Sequence, residues 1–183
     1  DRAAALPWLS QRGLVPALDR VAITPGAHVA MSAILSTLAV PGDVVLCETV
    51  TYPGLRSIAA MLRLELVGLP EDERGILPDA LETAIRVRAP KALFLNPTLR
   101  NPTTHTIPAE RRAEIAAVLL RRGTPLIEDD AYGFVPPSPP APIATLAPAL
   151  TWHIGGLAKC IGAGLRLAYV VAPDNRAAYR LGQ

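Results

Sequence analysis

Short apolar runs alternate with amphipathic stretches along most of this sequence, and no other feature constrains the fold as strongly. "VAIT" (21–24), "VVLCE" (44–48), "LELVGL" (64–69), "ALFLN" (92–96), "PLIEDD" (125–130), "TWHIGG" (151–156) and "LAYVVAP" (167–173) each read as a strand. Between them lie helical patterns over 27–38, "YPGLRSIAAMLR" (52–63), "LPDALETAIRVR" (77–88) and "PAERRAEIAAVLLRRG" (108–123). The third has Pro78 early in it, and the last has Pro108 in its first turn and Gly123 as its stop. Strands that alternate with helices predict an α/β fold, a three-layer sandwich of helices on both faces of a mainly parallel sheet. "PPSPPAP" (136–142) reads as a rigid surface loop and not as a domain boundary, so residues 1–183 are taken as one domain.

Composition narrows the function classes. Half of the 183 residues are hydrophobic and 19% are charged, which is the balance of a globular chain with a sizeable core. The net charge is only +2 and no basic run is present, which argues against nucleic-acid binding by this stretch. No apolar run reaches membrane-spanning length, and the opening residues do not resemble a signal peptide. Cys47 and Cys160 fit neither a disulfide framework nor a zinc site, so a reducing cytoplasm is expected. Arginine supplies 16 of the 18 Lys and Arg residues, which makes Lys91 and Lys159 conspicuous.

In such sheets, function gathers in the loops that leave the carboxyl ends of the strands. "ITPGAHVAM" runs from a strand through Gly26 into a helix; free N–H groups there suit an anion, although for this stretch alone a plain tight turn is the better reading. It lacks the glycine patterns that bind dinucleotides or nucleoside triphosphates. Tyr52 stands just past a strand end, either as a stacking platform or as a core tyrosine. In "LNPTLRNPTT" Pro97 and Pro102 stiffen the loop and hold Asn101 where its amide can meet a ligand; turn chemistry alone is the other reading. In "PLIEDDAYGF" an apolar strand runs into Glu128, Asp129 and Asp130, with Tyr132 three residues after Asp129. Buried acids need a positive partner. No further ligand set supports a metal, so a cationic organic ligand is preferred.

Lys159 lies in "WHIGGLAKCIGAGLRLAYV", apolar and glycine-flanked, seven residues before Arg166. A lysine in a dry site becomes a nucleophile that can condense with an aldehyde. Asn-Pro-Thr, then Asp-x-x-Tyr, then Lys with a following Arg, in that order, resembles the large domain of fold-type I aminotransferases, which use pyridoxal 5'-phosphate. Through "YPGLRSIA", "NPTLRNPTT", "IEDDAYG" and "GLAK…GLRLAYVVAP", residues 2–171 are most similar to the aminotransferase-like domains of MocR-type regulators in the GntR group.

The resemblance implies roles. Lys159 holds the cofactor as an aldimine. Asp129 pairs with the pyridinium nitrogen, while Tyr132 and Asn101 hydrogen-bond the phenolic oxygen. Tyr52 stacks on the ring. Gly26, Ala27 and His28 offer N–H groups to the phosphate, and Arg166 pairs with it as a fork. Gly156 lies where many relatives carry a Ser or Thr whose hydroxyl contacts the phosphate. Asp130, facing outward, and Glu128 are structural, His153 is a core histidine and His105 a surface one. Thr104 stands where most plain aminotransferases have glycine, which favours the regulator type. The resemblance further implies that "LAYVVAP" is the one antiparallel strand and that the ligand is an amino acid or amine. A homodimer is also implied, together with a small domain and, upstream, a winged-helix domain, both outside this chain. A free-standing amino-acid aminotransferase is the alternative.

Overall fold

Five strands that run in one direction carry the loops of interest at their carboxyl ends, and one reversed strand brings a sixth segment to the same edge. The structure, a computed structural model, describes residues 1–182. In chain order it contains α1 (Arg2–Ser10), β1 (Val21–Thr24), α2 (Ala27–Leu38), β2 (Val44–Glu48), α3 (Pro53–Leu62) and β3 (Glu65–Leu69). A small hairpin of β4 (Glu71–Asp72) and β5 (Gly75–Ile76) precedes α4 (Pro78–Arg88), β6 (Ala92–Leu95) and α5 (Ala109–Arg122). There follow β7 (Leu126–Asp129), β8 (Thr151–Gly156), β9 (Ala168–Val171) and α6 (Asn175–Leu181).

The main sheet has the order β1-β9-β8-β7-β6-β2-β3. From β8 to β3 every neighbouring pair is parallel. β9 alone is reversed, antiparallel to both β1 and β8, as the resemblance implied for "LAYVVAP". The reversal has a consequence for function. The carboxyl ends of six strands and the amino end of β9 share one edge.

Side-chain alternation along the strands fills two layers. Ala92 and Phe94 of β6 join Met31, Ile34 and Leu35 of α2 and Leu55 and Ile58 of α3 on one face. Leu93 and Leu95 face the other way, onto Leu81 of α4 and Ile115 and Leu119 of α5. With both faces covered, strands need continuous apolar runs, and each fully buried Phe or Leu contributes about 1.5–3 kcal/mol. This is the expected three-layer α/β sandwich. At the β1 end, Ala5 and Leu9 of α1 cover Val21, Tyr169 and Val171.

Two details differ from expectation. Pro108 is the N-cap of α5 and does not lie in its first turn, whereas Gly123 does end that helix in the left-handed region, φ 64°. The proline-rich stretch is also more than a surface loop. Arg12 donates to the carbonyls of Pro139 and Pro140 at 3.5 and 3.0 Å, and Arg112 to those of Pro140 and Ala141 at 3.4 and 3.1 Å. Arg112 is fully buried and also reaches the carbonyl of Pro97 at 2.9 Å, so the loop is anchored to the interior.

Candidate cofactor site

Loops from six strand ends meet around one cavity of about 230 Å³. Gly26, Ala27 and His28 reach it from the β1–α2 turn, Tyr52 from the start of α3, and Asn101 from the β6–α5 loop. Asp129 and Tyr132 follow β7, Gly156 and Lys159 lie at and after β8, and Arg166 precedes β9. All ten residues singled out in the sequence line this one space.

One end of the cavity is built for an anion. Gly26 is the N-cap of α2 at φ 100°, ψ 162°, a conformation open to glycine and strained for other residues. No side chain caps the helix, so its first N–H groups keep their hydrogen-bonding capacity for a ligand. The Arg166 guanidinium lies over the same turn, with Nη2 3.6 Å from where a β-carbon on Gly26 would be.

The opposite wall is acidic. Asp129 is 6% exposed, and its Oδ1 accepts the Ala131 N–H at 3.2 Å. Burial pushes its carboxyl up to about 7; the Ala131 N–H opposes this, the Asp130 charge adds to it and His153 opposes it. An organic cation against Asp129 would relieve that burial cost. Tyr52 and Tyr132 flank the space, and burial raises both phenols, reinforced by the Asp129 charge. A β-carbon at residue 54 would collide with the Tyr52 ring, so Gly54 lets that ring lie over the start of α3.

Lys159 corrects one expectation. The N–H groups of Cys160 and Ile161 close a turn on the Leu157 carbonyl at 3.2 and 2.9 Å, and Lys159 stands exposed on it. Its surroundings are therefore wet on one side, not dry, because this turn is the open mouth of the cavity. The Lys159 Nζ lies 5.9 Å from the centre of the Tyr132 ring.

The three consecutive acids diverge. Glu128 accepts the N–H groups of Ile143 and Ala144 at 2.7 and 2.9 Å and lies 3.4 Å from the His153 Nδ1. Burial alone would raise its carboxyl, but His153 and the two N–H groups hold it below its ordinary value. Asp130 does not face outward: it is 3% exposed and paired with Arg12 at 3.1 Å, because the chain turns inward after β7. His153 is a core residue as expected; His105 is only half-exposed, with Nε2 2.6 Å from the Glu73 carbonyl. Among the described residues no cluster of three or more His, Cys, Asp or Glu is placed to hold a metal.

Sequence reasoning missed Asn96, which also lines the cavity. Its signal is a polar residue directly after the all-buried run of β6. In the sequence, an asparagine before Pro97 reads equally as the start of a turn.

Residues 8–181 match the family model for class I and II aminotransferases. The chain belongs to this family. Within it, the domain is 32% identical over 94% of its length to the HTH-type transcriptional regulator YdeF of Bacillus subtilis (strain 168), and covers 37% of that protein. It is 31% identical over 91% of its length to the HTH-type pyridoxine biosynthesis transcriptional regulator PdxR of Corynebacterium glutamicum, covering 36% of it. Among solved structures it resembles LysN, an alpha-aminoadipate aminotransferase from Thermus thermophilus complexed with N-(5'-phosphopyridoxyl)-L-leucine. There the TM-score is 0.88 at 27% identity, over 98% of this chain and 46% of that one. This aminotransferase-like domain thus spans about a third of the length of its regulator relatives, and is related to regulators and aminotransferases alike. None of the helices among its described residues is long and apolar enough to cross a membrane.

Proposed function

We propose that residues 1–183 are the pyridoxal 5'-phosphate-binding large domain of a MocR-type transcriptional regulator, in which the cofactor and its amino-acid or amine adducts are sensed. One observation carries the cofactor part. A flexible amine, a buried carboxylate and an uncapped helix start facing a guanidinium line a single cavity, and these match an aldehyde, a pyridinium and a phosphate on one small molecule.

In this reading the N–H groups of Gly26, Ala27 and His28, with the Arg166 guanidinium, would hold the phosphate. Gly156, at the end of β8 and beside Ala27, would leave room for the phosphate. Asp129 holds the ring nitrogen protonated, Asn101 and Tyr132 donate to the phenolic oxygen, and Tyr52 covers one ring face. Lys159 is the amine that would hold the aldehyde and would afterwards move protons at the cavity mouth. Bound there, the cofactor supplies an electron-poor ring that stabilises negative charge on the carbon beside a captured amine. The whole protein is proposed to be cytoplasmic and a homodimer, and to meet DNA through a domain other than this one.

The regulator reading rests on the relatives named as HTH-type regulators and on Thr104 in "NPTT". A free-standing amino-acid aminotransferase is the second reading, supported by 26% identity to the rat mitochondrial kynurenine/alpha-aminoadipate aminotransferase. A helix-turn-helix segment upstream in the gene distinguishes the two.

The test is covalent. In the full-length protein incubated with pyridoxal 5'-phosphate, borohydride should fix the cofactor on Lys159, and Lys159→Ala should abolish both the fixation and the visible absorbance. The other lysine, Lys91, pairs with Asp43 at 3.8 Å, at the opposite edge of the sheet, before β6. Peptide mapping that found the label on Lys91 would overturn the proposal.

A further inference from the structure

Two of the residues proposed to hold the ring, Asp129 and Asn101, are joined through their backbones by one buried relay, which ends one residue short of a third, Tyr52. Asn96 is 2% exposed, and its backbone N–H and both polar groups of its side chain are engaged. Its backbone N–H donates to the Glu48 Oε1 at 2.9 Å, its Nδ2 donates to the Asp129 carbonyl at 2.7 Å, and its Oδ1 accepts the Asn101 N–H at 2.9 Å. Glu48 is fully buried at the end of β2, and its Oε2 accepts the Thr51 hydroxyl at 3.3 Å, one residue before Tyr52. The relay therefore crosses the ends of β2, β6 and β7, which are neighbours in the sheet.

We infer that Asn96 is a positioning residue that sets Asp129 and Asn101 at a fixed separation across the ring, through one carboxamide shared between their backbones. This inference rests on the cofactor reading above. The geometry leaves a carboxamide little competition at this position. Its donor and acceptor point to different strand ends, and at a position this buried an unsatisfied partner costs about 1–3 kcal/mol. Alanine loses both bonds. Aspartate is isosteric and keeps the acceptor for the Asn101 N–H, but loses the donor to the Asp129 carbonyl.

The consequence is electronic as well as mechanical. A donor from Asn101 stabilises negative charge on the phenolic oxygen, and Asp129 keeps the ring nitrogen charged. When either drifts away, the lysine-linked chromophore becomes more basic. The pH midpoint of its visible absorbance therefore reads the placement of both groups.

The experiment uses the full-length protein with pyridoxal 5'-phosphate. Asn96→Ala should move that midpoint upward by about one pH unit and raise the cofactor Kd about tenfold. Adding Asn96→Ala to Asn101→Ala should change the midpoint much less than the single change does, since part of its effect acts through Asn101. Asn96→Asp should fall between wild type and Asn96→Ala, and serves as the test if the alanine variant does not fold. A fall in melting temperature with the midpoint and Kd unchanged, or full additivity with Asn101→Ala, would overturn the inference. If the wild type itself shows no lysine-linked absorbance, the cofactor reading fails and takes this inference with it.

Discussion

The Arg166 guanidinium lies against the open face of Gly26, Nη2 3.6 Å from the position of the missing β-carbon. This contact joins the reversed strand β9 to the start of α2, so the single antiparallel strand is what delivers an arginine to the anion end of the cavity. Gly26→Ala should be limited by backbone, not by crowding: 3.6 Å is ordinary contact, but φ 100° is not a conformation alanine adopts freely. We expect a loss of about 1–3 kcal/mol in stability. Arg166→Ala should leave stability unchanged and weaken pyridoxal 5'-phosphate while sparing phosphate-free pyridoxal. Equal losses for both ligands would place Arg166 away from the phosphate.

Asp129 and Asp130 should respond in opposite ways. The Arg12 Nε and Nη2 hold Asp130 at 3.1 and 3.4 Å, and Thr98 donates to it at 3.0 Å. Asp130→Ala strands a buried guanidinium and should cost about 3–5 kcal/mol of stability. Asp129→Asn removes a buried carboxylate that forms no ion pair among the described residues, and should leave the cofactor-free protein as stable or more stable at pH 8. It should nonetheless weaken pyridoxal 5'-phosphate at least about tenfold, by loss of a charge-assisted hydrogen bond. Chemical denaturation and spectral titration on both variants check the pair, and matching effects would mean that the acids are assigned wrongly.

These residues also mark how far the sequence was legible. The central strands of the main sheet could be read because burial on both faces demands unbroken apolar runs, and the partly buried edge strands β1 and β3 because they too keep short, mostly apolar runs. The hairpin β4–β5 could not, since two-residue strands carry no period. It is fixed from outside, by Arg111 bonds to Asp72, Gly75 and Ile76 at 3.0, 2.9 and 2.8 Å. α1 was hidden because Pro7 lies inside it and no side chain caps it. In the site, Lys159 stood out because the chain has only two lysines, whereas Asp129 and Arg166 were singled out through the Asp-x-x-Tyr and Lys-to-Arg spacings that carry the resemblance. The role of Asn96 was not, because its partners lie 48, 33 and 5 residues away and only the folded sheet brings them together. Asp130 was misread for the same reason: its partner Arg12 is 118 residues distant.

Gly156 offers a gain-of-affinity test. A β-carbon there would meet those of Ala27 and Ala131 at 3.8 and 3.9 Å, ordinary contact, so serine fits without displacing either wall. Its hydroxyl would lie beside the first turn of α2, where the phosphate is proposed to bind. A hydrogen bond to a charged group contributes about 1.5–3 kcal/mol, so Gly156→Ser should tighten pyridoxal 5'-phosphate about tenfold or more. Unchanged affinity, with the fold intact, would show that the phosphate does not reach residue 156.

The last prediction concerns pH. Burial raises the Asp129 carboxyl from 3.8 to about 7 in the folded protein. A raised folded-state value means that the folded state holds this proton more tightly than the unfolded chain does. The Asp129 contribution is therefore fully present below pH 3.8 and is lost progressively as pH rises to about 7. Glu48, raised from 4.5 to about 7 chiefly by burial, acts in the same sense, whereas Glu128, held low, acts in the opposite one. Subtracting Asp129→Asn from wild type isolates the first group. The stability of the cofactor-free wild type relative to the variant should fall across that window by a few kcal/mol, on the order of 3–4. Adding pyridoxal 5'-phosphate should reverse the trend, because a pyridinium beside Asp129 favours the ionised carboxylate and releases its proton. Denaturant unfolding from pH 4 to 8, with and without cofactor, measures both slopes. A wild-type minus variant difference that is flat with pH would show that Asp129 is ionised throughout and has no need of a cationic partner.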